Sequence, residues 1–125
     1  MSSKTFLIIH SAIYASFTLA LFSAPALVWP IYGLEVNDKY AFFLSQHNSI
    51  FLGGIAILGF LFRDIEAGSL MGKKLFLGLM WTNLLGLVIT LYACLGGIFV
   101  GFGWSDPAFF ALLSALCFWQ LKKNS

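Results

Sequence analysis

Residues 75–95 have the sequence LFLGLMWTNLLGLVITLYACL, contain no charged side chain and follow directly after Lys73 and Lys74. A helix that crosses the hydrocarbon core of a bilayer needs about 20 mostly apolar residues, so this stretch is long enough to span a membrane. Three other apolar stretches occur, two before it and one after it. The sequence therefore predicts an all-α protein with four transmembrane helices, over residues 5–28, 40–62, 75–97 and 106–121.

The composition of the chain also indicates a membrane protein. Of its 125 residues, 60% are hydrophobic and 10% are charged, and the mean hydropathy is +0.91. A soluble domain carries about 25% charged residues, so this chain lacks the polar surface that would keep it in water. The length favours a single domain, 1–125, folded as a four-helix bundle. The net charge of +2 is too small to indicate a nucleic-acid partner.

The basic residues predict the orientation of the helices. With four spans, both termini and the loop between the second and third helices lie on one side of the membrane. Six of the seven basic residues fall on that side, whereas the opposite side carries only Lys39. The six are Lys4, Arg63, Lys73, Lys74, Lys122 and Lys123. Because cytoplasmic loops are enriched in Lys and Arg, we expect both termini in the cytoplasm.

The first apolar stretch allows a second interpretation. Ala24, Pro25 and Ala26 provide small residues at the spacing of a signal-peptide cleavage site. However, only one lysine precedes the apolar stretch, which exceeds the usual 7–15 residues of a signal-peptide core. We therefore expect the first helix to remain uncleaved.

Small residues at four-residue spacing predict how the helices associate. In lipid, helices pack through close backbone approach and interhelical hydrogen bonds rather than through the hydrophobic effect. The first helix carries such a stripe from Ala12 to Ala24, and the third carries a longer one that ends at Cys94. A compact bundle with the third helix at its centre follows from this pattern. The predicted packing residues of the third helix are Gly78, Thr82, Asn83, Gly86 and Thr90.

The second helix contains a continuous polar run, Ser45-Gln46-His47-Asn48-Ser49. Five consecutive residues cover the whole circumference of a helix, so these groups need partners in several directions. An unsatisfied polar group in hydrocarbon costs several kcal/mol. One interpretation is that the run bonds across the bundle, for example to Thr90. The other is a cavity for a small molecule, lipid or pigment around Gln46, His47 and Asn48, open to the outside.

The two histidines give no joint cofactor site. His10 lies near the inner end of the first helix, where we expect it to reach the interface, and His47 lies in the outer part of the second. Their depths should differ by roughly 10–15 Å, so they cannot ligate the same iron. A haem or chlorophyll held by His47 alone remains an alternative, but we expect no cofactor and no metal site. Cys94 and Cys117 should also differ in depth, which argues against a disulfide.

Missing residue types argue against several activities. No Asp or Glu lies inside a predicted span, whereas proton-coupled drug exporters need a carboxylate within the membrane. Membrane isomerases that use buried carboxylates as acid and base are disfavoured for the same reason. The sequence has no closely spaced cysteine pair, zinc-ligand cluster or nucleophile with an adjacent base. We therefore expect that the protein is not an enzyme.

Short motifs along nearly the whole chain resemble a group of small bacterial four-helix membrane proteins, broadly DoxX-like, most of which have no known function. They are Ala24-Pro25, Tyr32-Gly33, Gly53-Gly54, Gly59, Phe62-Arg63-Asp64, Asn83 with Gly86, and Gly103-Trp104. The chain differs from many of these proteins in carrying Gln46-His47 where they have a basic residue. The resemblance implies a bacterial inner-membrane four-helix bundle and implies no reaction.

The sequence favours a multi-pass membrane protein that acts by association, as an accessory subunit of a larger membrane complex or as a small homo-oligomer. The alternatives are a binder that uses the cavity around Gln46, His47 and Asn48, and a small channel or transporter. Membrane lipids are expected partners in each case.

Overall fold

The computed structural model of the protein describes residues 1–124 and is helical over 81% of its residues. Four helices are long and apolar enough to cross a membrane, at Ser3–Ser23, Lys39–Leu61, Leu70–Leu95 and Gly101–Lys123. The prediction of four helices of membrane-spanning length is thereby confirmed. In chain order the α-helices are α1 (Ser3–Ser23), α2 (Pro25–Val28), α3 (Lys39–Leu61), α4 (Leu70–Leu95) and α5 (Ser105–Lys123).

The first apolar stretch differs from the single predicted helix because it breaks at Ala24. Ala24 has φ −139° and ψ 50°, outside the helical region, and Pro25 opens the short helix α2. The residue before a proline is disfavoured in the α conformation, and proline fits the first position of a helix. A 3-10 helix, Trp29–Tyr32, continues the segment until Gly33, whose φ of 93° ends it.

The third and fourth spans are longer than the sequence predicted. α4 begins at Leu70, before the lysine pair, because the hydroxyl of Ser69 accepts from the backbone N–H of Gly72 and caps the helix. α5 begins at Ser105 and has 19 residues, preceded by a 3-10 helix at Gly101–Trp104. Pro107 is therefore the third helical residue, where an N–H needs no helical acceptor.

The chain divides into two compact units, of which the first is Met1–Asp64. Within this unit, α1 and α3 form an antiparallel helical hairpin. A Cβ atom on Gly59 would lie 2.5 Å from the hydroxyl of Ser11, and one on Gly53 would lie 3.1 Å from Thr18. The two glycines therefore allow the helices to approach closely along their length.

The second unit begins at Ile65 and pairs α4 with α5, also antiparallel. A Cβ atom on Gly86 would lie 2.6 Å from the ring of Phe110, so this ring packs directly on the α4 backbone. Further along the pair, the amide of Asn83 lies 3.9 Å from the sulfur of Cys117. Both cysteines are buried as free thiols.

Candidate functional site

The break at Ala24 leaves backbone carbonyls of α1 without helical donors. In a continuous helix the carbonyl of Leu21 would accept from residue 25, but Pro25 has no N–H. The carbonyl of Phe22 loses its partner for a related reason, because the helix has already ended at Ser23. Two acceptors at the end of α1 therefore need donors from elsewhere.

Part of the polar run on α3 supplies these donors. The hydroxyl of Ser45 donates to the carbonyl of Leu21 at 2.9 Å and accepts from the indole N–H of Trp29 at 2.8 Å. The side-chain amide of Gln46 donates to the carbonyl of Phe22 at 3.2 Å. These three bonds join α3 to the end of α1 and to the 3-10 helix that follows it.

The remaining hydroxyls bond within their own helices. Ser49 is fully buried and donates to the carbonyl of Gln46 at 2.7 Å. Thr90 donates to the carbonyl of Gly86 at 2.7 Å. Ser45 and Gln46 thus bond across the helical hairpin to α1, at the carbonyls freed by Pro25.

His47 and Asn48 lie on the exposed side of α3. At about 100° per residue, His47 points roughly 200° away from Ser45 around the helix. Its ring lies between those of Phe43 and Phe51 on the same helix face, with centroid distances of 5.8 and 5.6 Å. His47 is about 12 Å along the helix from Lys39, well inside the apolar span. We call Phe43, His47, Asn48 and Phe51 the outward polar face.

Gln46, His47 and Asn48 therefore do not converge on one point. The amide of Gln46 is directed to α1, whereas the other two side chains are exposed. Asn48 makes no side-chain hydrogen bond to any residue in 1–124. The polar run thus has a capping half, Ser45 and Gln46, which bonds to the end of α1, and an exposed half, His47 and Asn48.

The predicted packing residues of α4 also occupy two environments. Asn83 is fully buried and donates to the carbonyl of Leu79 at 2.9 Å, and Thr90 is also buried. Gly86 receives the ring of Phe110, as described above. Gly78 has no atom within 4 Å of a built Cβ, and the Thr82 hydroxyl bonds to the Gly78 carbonyl of its own helix at an exposed position. Within the second unit, Asn83 and Gly86 therefore contact α5, at Cys117 and Phe110.

His10 differs from its predicted position at the interface. Its side chain is only 1% exposed, and its ring stacks on that of Tyr14 with centroids 4.7 Å apart. The sequence also gave no indication of Gln120, which is fully buried in α5. Within residues 1–124, no group of three or more His, Cys, Asp or Glu side chains could hold a metal ion.

The roles of Leu21, Pro25 and Trp29 were not predicted from the sequence. Pro25 itself is the signal that could have indicated them. Because proline has no N–H, the carbonyl of the residue four positions before it lacks its helical donor. Comparison with known proteins adds no further guide, since no family model, curated protein or solved structure matches the chain. The DoxX-like resemblance stays a prediction from the motifs.

Proposed function

We propose that the protein acts by association in the membrane, as a homo-oligomer or as an accessory subunit, through the outward polar face of α3. The observation that carries this proposal is the exposure of His47 and Asn48 within an apolar span. A side-chain amide or imidazole in contact with hydrocarbon costs several kcal/mol. A helix of another chain that offers donors and acceptors would remove that cost.

The neighbours of His47 favour a helix as the partner. Phe43 and Phe51 are 59% and 61% exposed and lie one helical turn to either side of the histidine. They provide apolar contact area around a polar centre, so that a partner helix would gain van der Waals packing as well as an interhelical hydrogen bond. The three side chains therefore form a continuous surface along about two turns of α3.

The proposal needs neither a cofactor nor a catalytic group. Binding of a small molecule by Gln46, His47 and Asn48 together would require the three side chains to converge, and the Gln46 amide is held by the Phe22 carbonyl. The capping half of the run has a structural role, so His47 and Asn48 are the residues to change in a test of association.

The test compares the parent protein with the double variant His47→Leu/Asn48→Leu. Two differently tagged copies are expressed together and extracted in a mild detergent, and their co-purification and native masses are measured. We expect the parent to carry a second copy or a defined larger subunit and the variant to lose it. A loss of about tenfold or more in associated protein corresponds to about 1.4 kcal/mol of association energy.

The matched control is Ser16→Ala. Ser16 is also exposed, but its hydroxyl donates to the carbonyl of Ala12 at 2.8 Å and so needs no partner. We expect this variant to associate like the parent. A parent that is extracted as a monomer with lipids only would contradict the proposal, and so would undiminished association of the double variant. A visible absorption band lost with His47 would instead favour a bound pigment.

A further inference from the structure

An apolar groove runs between α1 and α3 at the end of the hairpin that carries Lys4. Its volume is about 360 Å³, and the residues that line it are apolar apart from Ser11. Three alanines, Ala12, Ala15 and Ala56, make room for it, and Phe60 forms part of its wall. It extends about 10 Å along α1, so it is long enough to hold part of an acyl chain.

A cation is fixed next to this groove. Arg63 follows the end of α3, and its guanidinium carbon lies 4.1 Å from the ring centroid of Phe60. One guanidinium nitrogen, Nη1, donates to the carbonyl of Phe60 at 2.8 Å. Arginine has five N–H donors, so most of them remain available.

The nearby carboxylate does not neutralise Arg63. Asp64 pairs with Lys4 at 3.2 Å, and both side chains are exposed. Among residues 1–124, Arg63 has no carboxylate within ion-pair distance. The end of the groove therefore carries one unbalanced positive charge, next to an apolar channel that runs toward the middle of the span.

A polar group also lies within the groove. Ser11 is 4% exposed, and its hydroxyl has no hydrogen-bond partner among the described residues. It lies against Gly59, one helical turn from Arg63 along α3. Because Ser11 also lines the groove, its hydroxyl is the polar group nearest to hand for an acceptor inside the groove, such as the ester carbonyl of a lipid.

We propose that this groove binds one anionic phospholipid, with an acyl chain between α1 and α3 and the phosphate at Arg63. Charge complementarity selects this occupant over an apolar helix, which would leave the guanidinium without an anion. A basic residue near a membrane surface contributes about 1 kcal/mol to the attraction of anionic lipids. The groove is about 13 Å along α3 from His47, so this site is independent of the outward polar face.

The experiment is native mass spectrometry of the full-length protein in detergent, titrated with phosphatidylglycerol or with phosphatidylcholine of the same acyl chains. We expect one phosphatidylglycerol to bind more tightly than phosphatidylcholine. Arg63→Gln should weaken phosphatidylglycerol binding about fivefold. The matched control, Lys39→Gln, removes the same charge at the other end of α3 and should leave binding unchanged.

A second pair of variants tests the groove itself. Ala12 lies at an exposed position on its rim, so Ala12→Phe should fill it and abolish tight lipid binding, while Ala12→Leu should weaken it. Ala115→Phe adds the same volume at an exposed position of α5 and should have no effect. Circular dichroism and gel filtration verify that each variant is folded.

Three results would overturn the proposal. The first is equal affinity for the two lipids, and the second is lipid binding that does not respond to Arg63→Gln or to either Ala12 variant. The third is a dimer that Ala12→Phe dissociates while lipid binding persists, which would identify a second copy of the chain as the occupant of the groove.

Discussion

Pro25 changes the hydrogen bonding of two other residues, Leu21, four positions before it, and Ser45, twenty positions after it. Because its nitrogen carries no hydrogen, the carbonyl of Leu21 loses the donor that a continuous helix would supply. In water such a carbonyl would bond to solvent, but in hydrocarbon an unsatisfied carbonyl costs several kcal/mol. The hydroxyl of Ser45, 2.9 Å away, replaces the missing N–H. One proline and one serine on different helices therefore form a single hydrogen-bonding unit.

Replacing Ser45 by alanine should destabilise the protein by about 1–2 kcal/mol, because the Leu21 carbonyl and the Trp29 indole both lose their partner. The measurement is reversible unfolding by sodium dodecyl sulfate in mixed micelles, followed by circular dichroism. Ser16→Ala, at a hydroxyl that bonds within its own helix, should change the free energy of unfolding by less than about 0.5 kcal/mol.

A double-mutant cycle with Pro25→Ala tests whether the serine and the proline are coupled. Alanine at position 25 restores an N–H that can bond to the carbonyl of Leu21. Ser45→Ala should therefore cost at most half as much in the Pro25→Ala background as in the parent. Equal costs in the two backgrounds would show that the serine stabilises the hairpin through some other contact, such as the bond to Trp29.

At the scale of the helix, the spacing of buried residues shows which positions of α4 form its contact face. Positions four apart are rotated by about 40° relative to one another, so a stripe of strict four-residue spacing winds around the helix. A contact face instead alternates steps of three and four. Six buried residues of α4 do so, namely Gly72, Phe76, Leu79, Asn83, Thr90 and Ala93, with Gly86 completing the series, and the buried Cys94 lies directly beside Ala93.

Gly86 and Gly78 should respond in opposite directions to substitution by alanine. At Gly86 the new methyl group would lie 2.6 Å from the Phe110 ring, so the ring or the helix must move, at a cost of about 1–3 kcal/mol. At Gly78 nothing lies within 4 Å, and alanine should stabilise the helix by up to about 1 kcal/mol through its higher helix propensity.

Detergent unfolding of the two single variants measures the difference. The variant Phe110→Leu provides a third comparison, because a smaller side chain should recover part of the loss in Gly86→Ala. Destabilisation of the same size at both glycines would contradict the assignment of Gly86 to the contact with α5 and of Gly78 to the open surface.

The sequence predicted the number and type of the helices because bilayer thickness imposes a length that few other structures share. It did not predict the break at Ala24, since hydropathy does not register a single missing N–H. It also did not show that Gln46 faces α1 while His47 and Asn48 are exposed. That division depends on the rotation of α3 about its axis, which follows from contacts such as Thr18 with Gly53.

At the scale of the whole molecule, the predicted orientation in the membrane depends on the positions of seven basic side chains. The loop before α3 and the first residue of that helix carry a single cation, Lys39, together with Glu35 and Asp38. In the predicted orientation this segment carries one positive charge across the membrane, whereas the opposite orientation would carry Arg63, Lys73 and Lys74 across.

Shifting this charge balance should give molecules of both orientations. The variant replaces Lys73 and Lys74 by glutamine and Glu35 and Asn37 by lysine, which leaves four basic residues on one side and three on the other. Glu35 and Asn37 are exposed, so the fold should tolerate the change, and Asp38 is kept because it caps α3 through the N–H of Ala41. Orientation is measured with C-terminal fusions to a fluorescent protein, which reports cytoplasm, and to a phosphatase, which reports the outside.

The parent should be fluorescent without phosphatase activity, and the variant should show both signals. The control replaces the same two lysines by arginine, which keeps the charges and should reproduce the parent. Phosphatase activity in the parent would reverse the predicted orientation. A variant that kept a single orientation would show that Lys73, Lys74 and the charges before α3 do not determine it. In that case the four basic residues left on the predicted cytoplasmic side, Lys4, Arg63, Lys122 and Lys123, would be sufficient to set the direction of insertion.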